Sequence, residues 1–244
     1  MEEKRPTRLF ITGDTHAEID IGKLSTKRWK EQKTLTRQDI LIVAGDFGVP
    51  WVRGENASDR YLLRWYEEKP FMVLFVDGNH DNEDALSEYP ETEYLGAKCH
   101  KIRENVLHIE RGEVLHLNGH KILCMGGARS VDIARRTPHI SWWEDEEASY
   151  AEWEHCYSSL KEERPDIIIS HDAPGSVIEE MMPEYMWIAP ESPTQKNFDA
   201  LLHEIKDGGN FVKDWYFGHH HKDRKVEIDG IMYHGMYQKI EEAL

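Results

Sequence analysis

Cysteine is scarce in this chain. Cys99, Cys124 and Cys156 are odd in number and widely spaced among 244 residues. That argues against a disulfide framework and fits a reducing compartment, so a cytoplasmic location is expected. No apolar run approaches the roughly 20 residues needed to cross a bilayer. The opening "MEEKRPTRLF" has no apolar stretch after its charges, so neither a membrane span nor a secretory leader is expected. Positive charge is also short: 30 Lys and Arg face 46 Asp and Glu, a formal charge of −16. Such a surface repels nucleic acid and anionic lipid at long range, and without a basic stripe a nuclease is disfavoured. The chain has no internal repeat and no low-complexity linker. With 39% hydrophobic residues it can bury a sizeable core, and residues 1–244 read as one domain.

Histidine, by contrast, is plentiful, with 14 in the chain. It is the commonest metal ligand and the near-neutral acid and base. Several histidines stand at one kind of place. Five apolar, often β-branched runs, "RLFIT", "ILIVA", "MVLFV", "DIIIS" and "DWYF", are continuous rather than alternating, as in strands covered on both faces. Polar stretches of helical length such as "ASDRYLLRWYEEK" separate the first three, which is α/β alternation. The runs lead into Asp14-Thr15-His16, Gly45-Asp46, Gly78-Asn79-His80-Asp81, His171-Asp172 and Gly218-His219-His220-His221. In open α/β sheets, sites form beyond the carboxyl ends of the strands. Four of the five tips carry glycine, which permits tight turns and close backbone approach.

In an extended segment Asp14 and His16 face the same way, as do His219 and His221, so His220 points elsewhere and is read as a non-ligand. Mixed oxygen and nitrogen donors suit Mn, Fe, Zn or Ni better than Ca or Mg. The seven candidate ligands exceed the needs of one ion. They suffice for two divalent ions if one carboxylate is shared, and Asp46, alone at its tip, is the natural bridge.

Taken in order along the chain, Asp14-x-His16, Gly45-Asp46, Gly78-Asn79-His80-Asp81, His171 and Gly218-His219-x-His221 resemble the motifs of the calcineurin-like metallophosphoesterases. The resemblance implies a four-layer α/β/β/α sandwich, two central mixed β-sheets flanked by helices, with a dinuclear centre. By position, Asp14, His16 and His221 would hold one ion and Asn79, His171 and His219 the other, with Asp46 between them. His80 would face the substrate phosphate as the catalytic histidine, protonating or stabilising the leaving oxygen. The implied reaction is hydrolysis of a phosphomonoester or phosphodiester, of a small molecule or nucleotide, by direct attack of a hydroxide shared by the ions. Val49 stands where the protein phosphatase branch has a second aspartate, and Asp81 where it has glutamate, so protein phosphatase activity is not expected. The first motif ends in Ala17 where glycine is usual, which leaves the ligands intact. The alternative is a non-catalytic scaffold on the same fold, which would be expected to have lost ligands or His80; this chain keeps all of them.

Other segments carry weaker signals. "VLHIERGEVLHLNGHKILCMGG" reads as a β-meander turning at Asn118-Gly119, and "RKVEIDGIMYHG" as a hairpin turning at Asp229-Gly230. Ser141 and Glu144 have capping-box spacing at the head of a long helix. Residues 173–193 read as a loop or lid, with Tyr185 and Trp187 as core packing or pocket lining. Arg129, after Gly126-Gly127, is a candidate for gripping phosphate. His100, His108, His116, His120, His139, His155, His203 and His234 read as ordinary hydrogen-bonded histidines.

Overall fold

All five apolar runs form strands. In the computed structural model, which describes residues 5–184 and 192–244, β1 (Leu9–Gly13), β2 (Ile40–Ala44) and β3 (Met72–Val76) lie parallel and fully buried. The chain continues through β4 (Glu91–Tyr94), β5 (Ala97–Arg103), β6 (Val106–Ile109), β7 (Val114–Leu117), β8 (His120–Met125), β9 (Ile167–Ser170), β10 (Asp214–Phe217), β11 (Arg224–Ile228), β12 (Ile231–Gly235) and β13 (Glu241–Glu242). One sheet runs β13-β1-β2-β3-β6-β5-β4, the other β11-β12-β10-β9-β8-β7. Both are mixed: parallel at the centre, antiparallel at the edges.

Side chains alternate between the faces of a strand, and here both faces are apolar. Leu9, Ile11, Ile42 and Leu74 of the first sheet meet Ile122, Cys124, Ile167 and Ile169 of the second. The opposite face of the first sheet, with Phe10, Leu41, Val43 and Phe75, packs against Leu62, Leu63 and Tyr66 of α1 (Ala57–Glu67). The outer face of the second, with Leu123, Ile168 and Trp215, packs against α3 (Tyr150–Glu163), α4 (Gly175–Met181) and α5 (Pro193–Asp207). A short α2 (Glu83–Leu86) follows β3. The result is the expected α/β/β/α sandwich.

Several local expectations are corrected. No α-helix joins β1 to β2 among the described residues; the connection holds only two 3-10 turns, Ile21–Leu24 and Lys30–Thr34. The supposed meander is divided between sheets: β6 pairs with β3 and β5, whereas β7 and β8 belong to the second sheet. The Asn118-Gly119 and Asp229-Gly230 turns do form, with all four residues at positive φ as a type I′ turn requires. The long helix starts later than Ser141. Ser149 accepts from the Glu152 N–H and Glu152 returns the bond, because Glu146 upstream is held by its backbone and side chain to Ala128 and Ser130. Part of the expected loop over 173–193 is helix: α4 occupies its first half and Pro193 opens α5 behind a Ser192–Gln195 capping box. Tyr185 and Trp187 lie outside the described residues.

Register brings the tips together. Gly13 pairs with Ala44, and Ala44 with Val76, so Asp14, Gly45 and Asp77 leave the first sheet at one level. Met125 pairs with the level of Ser170, and Ser170 with Phe217, so Gly126, His171 and Gly218 leave the second sheet together.

Candidate metal centre

The loop after β1 is not extended: Asp14 and His16 both take positive φ, at 25° and 41°, as do Asp46, His219 and His221. The face-sharing argument from extended geometry therefore fails. The residues converge because backbone bonds clip one tip to another. Thr15 and His16 N–H donate to the Asp46 carbonyl at 3.0 and 2.8 Å, and Ala17 N–H donates to the Phe47 carbonyl. Two glycines allow the approach. A Cβ on Gly78 would lie 2.3 Å from Asp46 Oδ1, and one on Gly45 would lie 2.0 Å from His171 Nδ1.

Asp46 stands at the centre. Its Oδ2 lies 3.1 Å from His16 Nε2, and its Oδ1 lies 3.2 Å from His171 Nε2 while accepting the His80 N–H at 2.8 Å. Asn79 Oδ1 is 3.1 Å from the same His171 Nε2. The His171 Nδ1–H donates to the Ala44 carbonyl at 3.0 Å, which turns Nε2 into the site. Asp14 Oδ1 accepts the His219 backbone N–H at 3.0 Å. Donor atoms of Asp14, His16, Asp46 and His221 all lie within 4.8 Å of one another. The His219 ring sits 5.0 Å from that of His171, and the His221 ring stacks on Tyr237 at 4.6 Å. His220 turns away to Asp172 Oδ1 at 2.9 Å. All seven residues singled out as ligands are thus brought to one place, with His80 beside them.

The electrostatics describe two carboxylates balanced by protons held on imidazoles. Against the cost of burial, Asp46 lifts His171 to about 10 and His16 to about 9. Despite burial, the same imidazoles hold Asp46 well below the carboxylate range. Burial raises Asp14 to about 6, opposed by His171. Burial lowers His219 to about 3 and also lowers His221, leaving neutral nitrogens. Asp14 Oδ2 is fully buried and, among the described residues, has no hydrogen-bond partner. An orphaned carboxylate oxygen, a second carboxylate shared between two imidazoles, an amide oxygen and further neutral imidazoles fit borderline divalent cations, which would displace the protons now balancing the carboxylates.

Sequence reasoning missed the residues that orient this set. Asp20 accepts from His16 Nδ1–H at 2.8 Å. Ser130 accepts from Asn79 Nδ2 at 3.2 Å and is itself held by Glu146, so the Asn79 oxygen faces inward. Asp81 is buried and accepts from Phe47, Gly48 and Gly78 N–H, tying the loops after β2 and β3. Arg129 is exposed and, among the described residues, makes no hydrogen bond or ion pair. The guanidinium that reaches the site is Arg136, whose Nη2 donates to His80 Nε2 at 2.8 Å. Burial lowers His80 to about 4. A spacing such as His16-x-x-x-Asp20 could have flagged one partner; nothing local flags Arg136 or Glu146.

A second carboxylate–imidazole group, Asp77, Glu83 and His108, also has donors within 4.8 Å. Arg111 fills it, donating to Asp77 Oδ2 at 2.6 Å through Nη2 and 3.0 Å through Nε. No described helix is long and apolar enough to cross a membrane.

No curated protein matches the chain in sequence. A candidate 5′-nucleotidase from Staphylococcus aureus, solved with alpha-ketoglutarate, superposes with a TM-score of 0.52 and 13% identity, over 97% of this chain and 50% of its own. This chain therefore spans about half the length of that protein. The anchor in the inner membrane complex of Plasmodium superposes with a TM-score of 0.55 and 13% identity, over 96% of this chain and 72% of its own. At such identity the likeness concerns the fold alone. The profile of the calcineurin-like phosphoesterases matches residues 7–223, a stretch that includes every residue from Asp14 to His221 discussed above. With most of its length matched, the chain belongs to the calcineurin-like phosphoesterase family.

Proposed function

We propose that this protein hydrolyses phosphate esters with two divalent metal ions, manganese among the candidates. Asp14, His16 and His221 would hold one ion; Asn79, His171 and His219 the other; Asp46 would contribute an oxygen to each. When bound, such ions polarise phosphoryl oxygens and make water acidic enough to supply a nucleophile near neutral pH. The observation that carries the reading is the placement of Asp46, one oxygen towards His16 and the other towards His171.

The chain's own groups supply the rest. Asp20 and the Ala44 carbonyl hold His16 and His171 with Nε2 inward. Ser130 and Glu146 keep the Asn79 oxygen in the same direction. Arg136 donates to His80 Nε2, which favours the neutral ring with its proton on Nδ1. An entering phosphate would offer the Arg136 fork a better acceptor than an imidazole. That frees His80 Nε2 to take a proton from solvent, Nδ1 keeping its own, and this second proton is the one it would donate to the leaving oxygen.

The test is metal analysis of the purified protein combined with hydrolysis of p-nitrophenyl phosphate and its bis ester in the presence of Mn²⁺. Stoichiometric metal with turnover of either ester supports the proposal. Substoichiometric metal with no turnover would favour a non-catalytic scaffold.

A further inference from the structure

Beside the metal cluster the chain opens a cavity of about 390 Å³ with His16 and His80 in its lining. This lies near the lower end of small-ligand sites, roughly 300–1,000 Å³, room for one ring system and its linker. A larger cavity of about 760 Å³ runs along α3 and shares no residue with the cluster. The smaller one is therefore the space through which a group attached to a phosphate at Asp46 would project.

Its remaining wall is largely apolar and held in place. Trp51 is only partly buried, yet its backbone is tied at both ends. Its N–H donates to Asp59 Oδ1 at 3.0 Å, and its carbonyl accepts from Asn82 Nδ2 at 2.8 Å. Its indole meets Trp143 edge-on, with centroids 4.9 Å apart. Leu62 closes the floor and Ile19, 78% exposed, stands at the rim. A large indole kept in position and partly open is a surface on which a flat ring can stack.

The polar groups narrow the occupant. Asp59 is engaged by the Trp51 and Asn56 N–H groups, and Asn56 Oδ1 accepts from Asp59 N–H, so the Asn56 NH₂, the Ser58 hydroxyl and the Trp51 indole N–H are side-chain donors open to a ligand among the described residues. No lysine or arginine lines the cavity among the described residues, while Glu18 does. A second phosphate or a carboxylate there would be unpaired and repelled.

We propose that this cavity is the leaving-group subsite and takes the uncharged, planar aromatic alcohol of a phosphate ester, a nucleoside or an aryl group. The inference rests on the phosphoesterase reading above. It is tested on the full chain with Mn²⁺ in two ways. Calorimetry measures binding of adenosine, 1-naphthol and glycerol. Kinetics compare kcat/KM for adenosine 5′-monophosphate, 1-naphthyl phosphate and glycerol 1-phosphate. Adenosine and 1-naphthol should bind where glycerol does not, and the aromatic esters should be preferred. Binding of adenosine alone assigns a nucleoside; binding of both assigns planar rings in general. Trp51→Ala should lower the aromatic-to-glycerol ratio about ten- to a hundredfold, the size of a lost stacking contact, and Trp51→Phe should restore most of it. Ser58→Trp, placed on an exposed position that leaves the core untouched, should close the cavity and lower the same ratio. Equal binding of all three alcohols, or an equal loss on every ester in Trp51→Ala and Ser58→Trp, overturns the subsite. Hydrolysis without aromatic preference sinks this inference alone. Aromatic binding that needs Trp51, with no hydrolysis of any ester, keeps the aromatic pocket and sinks the phosphoesterase reading.

Discussion

Two clusters in this protein, each largely withdrawn from solvent, set carboxylates against imidazole. At the strand tips, Asp14 and Asp46 meet His16 and His221, and His171 reaches Asp46. A short way along the chain from Asn79, Asp77 meets His108 and Glu83. In the second, Arg111 is 6% exposed and donates to both oxygens of Asp77. His108 Nε2 lies 3.4 Å from Asp77, and burial pushes Glu83, whose Oε2 has no partner among the described residues, towards its neutral form. That cluster contains its own cation. In the first, no lysine or arginine side chain donates to Asp14 or Asp46 among the described residues; Lys23 reaches only the main-chain carbonyls of Gly13, Asp14 and Tyr237. Carboxylates beside imidazole thus have two outcomes. A covalently attached guanidinium makes a structural brace, and its absence leaves a demand that a free cation can meet.

The comparison is open to attack by mutation, and the largest effect is expected at Asp46. Asp46→Ala should lose both bound metal and turnover, read by elemental analysis and by hydrolysis of p-nitrophenyl phosphate. His80→Ala should lower kcat by about 10²–10⁴-fold while metal content stays near that of the parent. Full rate in that variant on esters with poor leaving groups would show the role to be wrong. Arg111→Met should act oppositely: about 3–5 kcal/mol of stability lost, because Asp77 is left buried and unpaired, with metal stoichiometry kept. Denaturant unfolding and metal analysis of one preparation decide this, and loss of metal with unchanged stability would reverse the assignment of the two clusters.

The smallest effect concerns pH. Burial, and then the neighbouring His108, lower His100 to about 4, and the two Nδ1 atoms are 3.2 Å apart. His108, despite burial, is raised by Asp77. The folded protein therefore keeps His100 neutral, whereas the unfolded chain protonates it near the ordinary value of about 6.5. Between those values the unfolded state binds more protons, so stability falls as pH drops from about 6.5 towards 4. His100→Gln should flatten this stretch of the curve, measured as unfolding midpoints at several pH values. An unchanged slope would assign the loss to other groups.

Much of the site was legible because strand tips announce themselves. An apolar run that ends in acid or imidazole has few other uses, and five of them, four with glycine at the junction, are close to a signature. The partners that orient those side chains were not legible. Arg136 lies 56 residues from His80, and Glu146 holds Asn79 only through Ser130. Nor could spacing choose between Ser141 and Ser149 as the helix cap, since both have glutamate three residues on.

By itself, then, the sequence determined the α/β alternation and the list of chemically able residues, because both follow from local pattern: period, punctuation and side-chain type; the four-layer sandwich was implied only by the family resemblance. Only the tertiary structure decided which carboxylates lack a cation, which nitrogen of each imidazole faces inward and which aromatic wall adjoins them. Those depend on contacts between segments far apart in the chain, where strand register and burial, not neighbouring residues, set the distances.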